Sequence, residues 1–371
     1  MKKIARLLLT ALLLTALTSC GESEYPPIES TELESSVVMT LHIDNKEYNV
    51  KYELYRAFFL NVREKIDGGD TSVWSGENKD EYVSRADKII KEQISDIYAV
   101  FYIAEKVGID VYSDEFDDII EDYMEISVDG GYYDDIYVEG FDGDYDAYLA
   151  SLSEMNLNYS VQDLLLRYQI ASGRIFEYYA GYTSGEYLED VVEGELKFTK
   201  EDVKAFYENR DECTRVIRAT LPKEYFKAER AEEIRETICE KKVYGTEEVI
   251  KYVISLALPT ATVDIENGEV IGRHNLDSMY YKELVDVAFD LEYFAVSEVI
   301  EISDAYSDTY TIVYKINKTD EHFEECYDSI KSVYIQNEIG KILDTAADSI
   351  YANAENTAFL NSLDRSTISM K

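Results

Sequence analysis

Proline, histidine and cysteine are all scarce: 371 residues contain four prolines, three histidines and four cysteines. So little proline, beside 46% hydrophobic residues, excludes a disordered or proline-rich chain. Three scattered histidines, His42, His274 and His322, leave nothing from which a serine–histidine or cysteine–histidine constellation for covalent catalysis can be assembled. No phosphate loop, zinc spacing or dinucleotide fingerprint is present, and no cofactor is expected. Basic residues are also short, 36 against 76 acids, and the resulting charge of −40 repels nucleic acid and anionic lipid as main ligands. That acidity reads as a well-solvated surface. What is plentiful is tyrosine, 33 copies, whose amphipathic ring suits half-buried positions and adaptable binding surfaces. The length favours two folded units.

The first twenty residues read as an address. Lys2, Lys3 and Arg6 make a basic start, Leu7–Leu17 a short apolar run, and Leu17-Thr18-Ser19-Cys20 resembles the lipobox of bacterial lipoproteins. The run is too brief for a permanent transmembrane helix. Cys20 is therefore expected to be the acylated first residue of a mature protein anchored to the membrane from outside the cytoplasm; an ordinary secretory peptide is the alternative. Residues 21–36, polar and proline-containing, read as a flexible tether. Cys213, Cys239 and Cys326 are an odd number for an exported chain and lack metal spacing. Each lies beside apolar residues in a predicted element, so they read as buried thiols, with one disulfide pair left open.

The body opens with a predicted hairpin, Val37–Ile43 and Tyr48–Val50 around Asp44-Asn45-Lys46, then a helix that Gly68-Gly69 breaks, with Trp74 in a polar loop. Val83, Ala86, Ile90, Ile94, Ile97 and Phe101 predict a helix over Lys79–Val107. A helix capped by Ser113, a loop over Asp129–Asp146, and helices at Tyr145–Met155 and Val161–Tyr182 follow. Asp142, Asp144 and Asp146 have the spacing of a calcium loop, but Ala147 and Ser153 occupy its glycine and closing glutamate positions, so no metal is expected. At Phe198–Leu221 the pattern changes. Thr199 and Asp202 form a capping box for a short helix, and Arg215–Leu221 alternates as a half-buried strand. Helices at Lys223–Lys241 and Thr246–Ala257, an irregular stretch to Gly272, a helix at Tyr281–Leu291 and strands at Ser297–Ile302 and Tyr310–Ile316 imply an antiparallel α+β unit. Phe323–Tyr351 returns to one long helix whose apolar face needs the early helices as its partner.

The hairpin and helix of Val37–Val62, the segment FTKEDVKAFYENR, and GEVIGRHNLDSMYYKELVDVAF with the later VSEVIEI resemble, in order, the extracytoplasmic foldases of the PrsA and SurA type. The resemblance spans most of the mature chain and is dispersed. It implies an α+β protein: a mainly helical chaperone domain built from residues 37–212 and 321–371, with a small parvulin-like prolyl isomerase domain, 213–320, inserted between them. In that family two histidines on central strands shape the hydrogen bonds around a twisted X–Pro amide. Here their positions fall at Arg218, or Ala219 if the register slips, and at Thr311, so neither is histidine. The apolar grip on the proline ring would fall to Ile271, Met279 and Leu284, residues an ordinary turn and amphipathic helix would also contain; Phe289 reads as core.

The expectation is a membrane-anchored chaperone that binds unfolded or newly exported polypeptides with a degenerate isomerase site. An active isomerase with an altered site, and a binding lipoprotein that holds one envelope partner, are the alternatives. Clients and oligomeric state are not legible.

Overall fold

The computed structural model describes residues 28–370 except 134–135, 185–189, 257–267, 275–277 and 304–307; the signal, Cys20 and residues 21–27 lie outside them. The described residues mix helices with small antiparallel sheets and fall into two compact units. A terminal unit takes the chain up to Tyr178 and again from Leu343, and a middle unit is Tyr179–Ile342. No helix among the described residues is long and apolar enough to cross a membrane.

In the terminal unit the alternating run β1 (Val37–Ile43) pairs with β2 (Lys46–Lys51), Asp44 taking the left-handed φ of 50° that the tight turn needs. Helix α1 (Tyr52–Asp67) stops at Gly68 and Gly69, both at positive φ. Trp74 is enclosed, edge-on to Phe59 at 5.1 Å, and its indole N–H donates to Asp67 at 2.7 Å. Helix α2 (Lys79–Lys106) buries Ile90 and Ile94 completely, as the three-and-four spacing of its apolar residues requires. Helices α3 (Asp114–Asp129), α4 (Tyr145–Glu154) and α5 (Tyr159–Ala180) follow. Between α3 and α4, where a loop is expected, lies the ribbon β3 (Gly131–Tyr133) and β4 (Ile136–Val138). Asp144 is the N-cap of α4, accepting from the Ala147 amide at 3.0 Å, while Ser113 holds the N-cap position of α3 without a side-chain bond.

In the middle unit β5 (Gly181–Ser184) and β6 (Asp190–Glu193) form a ribbon that no sequence signal marks. The capping box forms as expected at α6 (Lys200–Glu208), each of Thr199 and Asp202 accepting the other's backbone amide. Next come β7 (Cys213–Pro222), α7 (Ala228–Lys241), α8 (Thr246–Leu256), β8 (Glu269–Gly272), α9 (Ser278–Asp290), β9 (Ile300–Ser303) and β10 (Asp308–Lys315). The four strands make one antiparallel sheet in the order β8-β7-β10-β9. Three expectations need correcting here. Helix α7 starts at Ala228, because the Tyr225 and Phe226 amides turn back onto the Pro222 carbonyl. The stretch before Gly272 is not irregular throughout, since β8 gains its order from pairing with Cys213–Val216 more than fifty residues away. The last long helix is two, α10 (Asp320–Glu325) and α11 (Tyr327–Ala352), broken at Cys326 with no glycine or proline to mark the place.

The cysteine reading also changes. Cys213 is buried, and desolvation pushes its thiol up to about 12, but Cys239 and Cys326 are only partly covered. On α7 the neighbouring Ile238 takes the inward position, and one residue further along a helix lies about 100° away. No disulfide joins the three.

Past α11 the chain adds β11 (Glu355–Asn356) to the free edge of β1, then α12 (Ala358–Ser362). Thr357 donates its hydroxyl to the Val37 carbonyl at 3.0 Å. Arg365, 4% exposed, donates Nε to the Tyr55 hydroxyl at 3.1 Å, Nη2 to Asp87 at 2.9 Å and Nη1 to the Leu363 carbonyl at 2.9 Å.

Residues 28–36, read as part of a tether, are packed on this unit instead. Ser30 donates to Glu53 at 2.6 Å, and Glu34 accepts from the amide and hydroxyl of Thr31 and from Arg56 at 2.7 Å. Burial would raise the Glu34 carboxyl, but those bonds hold it down at about 2 against an ordinary 4.5. A carboxyl depressed in the native state adds stability that is complete above about 4.5 and disappears as pH falls from there towards 2. In urea titrations the wild type is therefore expected to lose about 1–2 kcal/mol more than Glu34→Gln across that window, solvent screening included. Parallel pH profiles for the two proteins would contradict the assignment.

Candidate functional site

The sheet of the middle unit has two faces because successive strand residues point oppositely. Ile217, Ala219 and Leu221 of β7 join Ile312 and Tyr314 of β10 against Ala231, Ile234 and Ile238 of α7 and Val249 and Val253 of α8. On the other face Val216, Val313 and Ile271 meet Leu284, Val285, Ala288 and Phe289 of α9.

Alternation and register place Arg218 and Thr311, the two positions singled out by the resemblance, on the α9 face. Arg218 stands opposite Val313, and Thr311 opposite Thr220. Ala219, the alternative to Arg218, is 3% exposed in the core against α7 and α8. The Arg218 guanidinium is half-buried and meets Glu269 of β8, with Nε 3.0 Å from Oε2. Desolvation raises the Glu269 carboxyl while Arg218 pulls it back. Thr311 is 1% exposed. Ile271 and Leu284, the apolar residues assigned to a proline grip, are 5% and 3% exposed and packed into the core between sheet and helix. Met279 belongs to α9, and its side chain lies outside the described residues. Phe289, expected in the core, is buried there and also carries the Arg273 guanidinium 3.9 Å from its ring centre.

Sequence reading missed the other polar groups of this region. Glu269 was hidden because β8 was not recognised as a strand. Lys315, 8% exposed, donates Nζ to the Phe289 carbonyl at 2.9 Å; desolvation, with Arg210 and Arg273 nearby, lowers its ammonium. Ser297 accepts from the Val313 amide at 3.0 Å through its hydroxyl. Two shallow depressions, one along Asp80–Lys91 and Ala354 and one at His42 and Ala352–Glu355, belong to the terminal unit.

The three histidines do other things. His42 is 4.0 Å from Glu47 in the first hairpin. His322 is buried, with Nδ1 2.8 Å from the Tyr207 hydroxyl. His274 follows β8, and its amide donates to Oδ1 of Asn337 at 2.8 Å. Asn337, fully enclosed on α11, also donates to Glu212, which Lys341 meets at 2.7 Å. Burial opposes ionisation of Glu212, but Lys341 and Asn337 outweigh it and hold the carboxyl below its ordinary value. Gly340 is required here: a Cβ would stand 1.6 Å from the His274 carbonyl oxygen. Sequence-stretch 272–274 is thus held down on α11, a structural role for His274.

No protein-family model matches the chain, and no curated protein matches it. Solved structures do. The foldase protein PrsA of Streptococcus pneumoniae aligns at 13% identity and a TM-score of 0.25, covering 84% of this chain and 93% of that one. PrsA of Bacillus subtilis aligns at 14% and 0.23, covering 86% and 93%. The PrsA foldase of Lactococcus lactis aligns at 12% and 0.24, covering 90% and 100%. Likeness at these TM-scores assigns neither an activity nor a substrate.

The chemistry of the α9 face follows from its own groups. Arg218 is engaged by Glu269, Thr311 is enclosed, and Lys315 is directed to a backbone carbonyl. Ile271 and Leu284, two of the three apolar side chains assigned to a proline grip, are packed into one core cluster. In a protease-coupled assay on proline-containing peptides the purified protein is expected to leave cis–trans conversion at its uncatalysed rate. Acceleration that Arg218→Ala abolishes would contradict this.

Proposed function

We propose that the protein is a membrane-anchored, extracytoplasmic chaperone that binds unfolded or newly exported polypeptide, with a parvulin-like module that has lost its isomerase site. One observation carries the reading. Residues from Leu343 onward rejoin the unit begun by the first half of the chain, while Tyr179–Ile342 forms a separate unit around an antiparallel sheet with helices on both faces. That is the organisation implied by the resemblance to PrsA- and SurA-type foldases, in which the two ends of the polypeptide build the chaperone domain.

Three further features support it. The basic start, the short apolar run and Leu17-Thr18-Ser19-Cys20 suit export and acylation at Cys20. The terminal unit exposes tyrosines, among them Tyr112, Tyr132 and Tyr137, whose rings suit weak and adaptable contacts with extended chains. Arg218 and Thr311 replace both histidines while the strands that carry them are kept, which fits a fold retained after its chemistry. Binding of this kind needs no cofactor.

Purified protein lacking the signal is expected to suppress light scattering by a chemically denatured model substrate in proportion to its concentration. In cells, cross-linking should capture many exported chains. No suppression and no binding to unfolded polypeptide would overturn the proposal, and capture of one envelope protein alone would replace it with a dedicated assembly role.

A further inference from the structure

The ribbon β3–β4 is built to present two aromatic rings. Tyr132 and Tyr137 are directly opposed across the strands, so both point to the same side, with ring centres 5.4 Å apart in an edge-on arrangement. They are 71% and 64% exposed, while the next residue, Val138, points to the other side and is 3% exposed. The ribbon's root is fixed. Gly130, at φ +80°, lies so close to Gly140 that a Cβ on Gly140 would stand 2.1 Å from the Gly130 nitrogen, and the Phe141 amide donates to the Val128 carbonyl at 2.6 Å. A pair of rings exposed on a rooted ribbon is an aromatic surface that no other described residue covers.

The charge around it selects the partner. Residues 114–146, which include α3, the ribbon and the start of α4, contain fourteen acids and no lysine, arginine or histidine. The arginines that reach α3 from α5 are already shared: Arg167 between Asp117 and Asp163, and Arg174 between Glu115 and Glu177. The remaining field is negative enough that desolvation together with Asp118, Asp117, Glu125 and Asp122 raises the Glu121 carboxyl. Exposed tyrosine faces attract ammonium and guanidinium groups, and surrounding carboxylates add Coulomb attraction at range. A second copy of this acidic surface, or an anionic lipid surface, would be repelled.

We propose that the Tyr132–Tyr137 face of the ribbon is a docking surface for lysine- and arginine-rich segments of unfolded polypeptide. This rests on the reading of the protein as a polypeptide binder and names the client chemistry it prefers.

The test uses the whole chain without its signal and two probes, a reduced and alkylated model protein of high pI and an acidic one of similar length. The wild type should bind the basic probe at least about tenfold more tightly, with the difference shrinking in high salt. Tyr132→Ser/Tyr137→Ser should weaken binding of the basic probe about fivefold or more, while Tyr132→Phe/Tyr137→Phe, which keeps both rings, should bind as the wild type does. Equal affinity for the two probes, or serine and phenylalanine variants that behave alike, would overturn this proposal and leave the chaperone reading intact. Concentration-dependent self-association lost in the serine variant would assign the face to a second copy instead. Failure of the wild type to bind either probe would remove the chaperone reading itself.

Discussion

A guanidinium near the end of the chain holds the terminal unit together. Arg365 is almost wholly enclosed, and its bonds reach Tyr55 of α1, Asp87 of α2 and carbonyls of its own tail. A charge buried in this way is tolerable only while its partners stay in place, and removing one partner of such a pair costs about 3–5 kcal/mol. The constraint runs both ways. Burial with Asp87 beside it pushes the Tyr55 phenol far above its ordinary range, so that hydroxyl stays a hydrogen-bond donor at any physiological pH. Around this knot the tail adds β11 to the edge of β1, sets Thr357 on the Val37 carbonyl and accepts Arg63 on the Ile368 carbonyl. An edge strand that would otherwise offer unpaired amides is covered by the chain's own end.

That closure is why the middle unit interrupts the terminal one in sequence. Between Tyr178 and Leu343 the chain builds a sheet with helices on both faces, and the first part of α11 is tied to it by the enclosed Asn337 and by Gly340 packed on the His274 carbonyl. The sheet face that carries Arg218 and Thr311 packs α9 against Val216, Ile271 and Val313. The proposed polypeptide binding then falls to surfaces that combine exposed rings with a high density of carboxylates, of which the β3–β4 ribbon is one.

Local signals are legible in the sequence. The capping box of Thr199 and Asp202 and the stripe of Ile90, Ile94 and Ile97 depend on neighbours three or four residues away, and both stand in the structure. Alternation along Arg215–Leu221 was legible, but the choice between Arg218 and Ala219 was settled only by the pairing of β7 with β10, which sets Arg218 opposite Val313 and Thr311 opposite Thr220. What escaped depends on distant partners. Strand β8 is four residues whose order comes from β7, and β11 is two residues completed by β1. Arg365, an arginine in a serine- and threonine-rich tail, has partners 278 and 310 residues earlier in the chain. The break at Cys326 escaped because Phe323 and Ile330 continue the helical period across it. Ile271 and Leu284 were recognised as apolar, but composition does not say whether an apolar residue lines a cleft or fills a core, and both fill one.

The most direct test of the account is hydrogen exchange on a chain ending at Ala354, compared with the full-length chain. The account predicts that amides of β1, α1 and α2 lose most of their protection without the tail, while those of β7 and β10 keep theirs. Unchanged protection in α1 and α2 would show that the terminal unit stands without its last residues and would contradict the closure on which the proposed organisation rests.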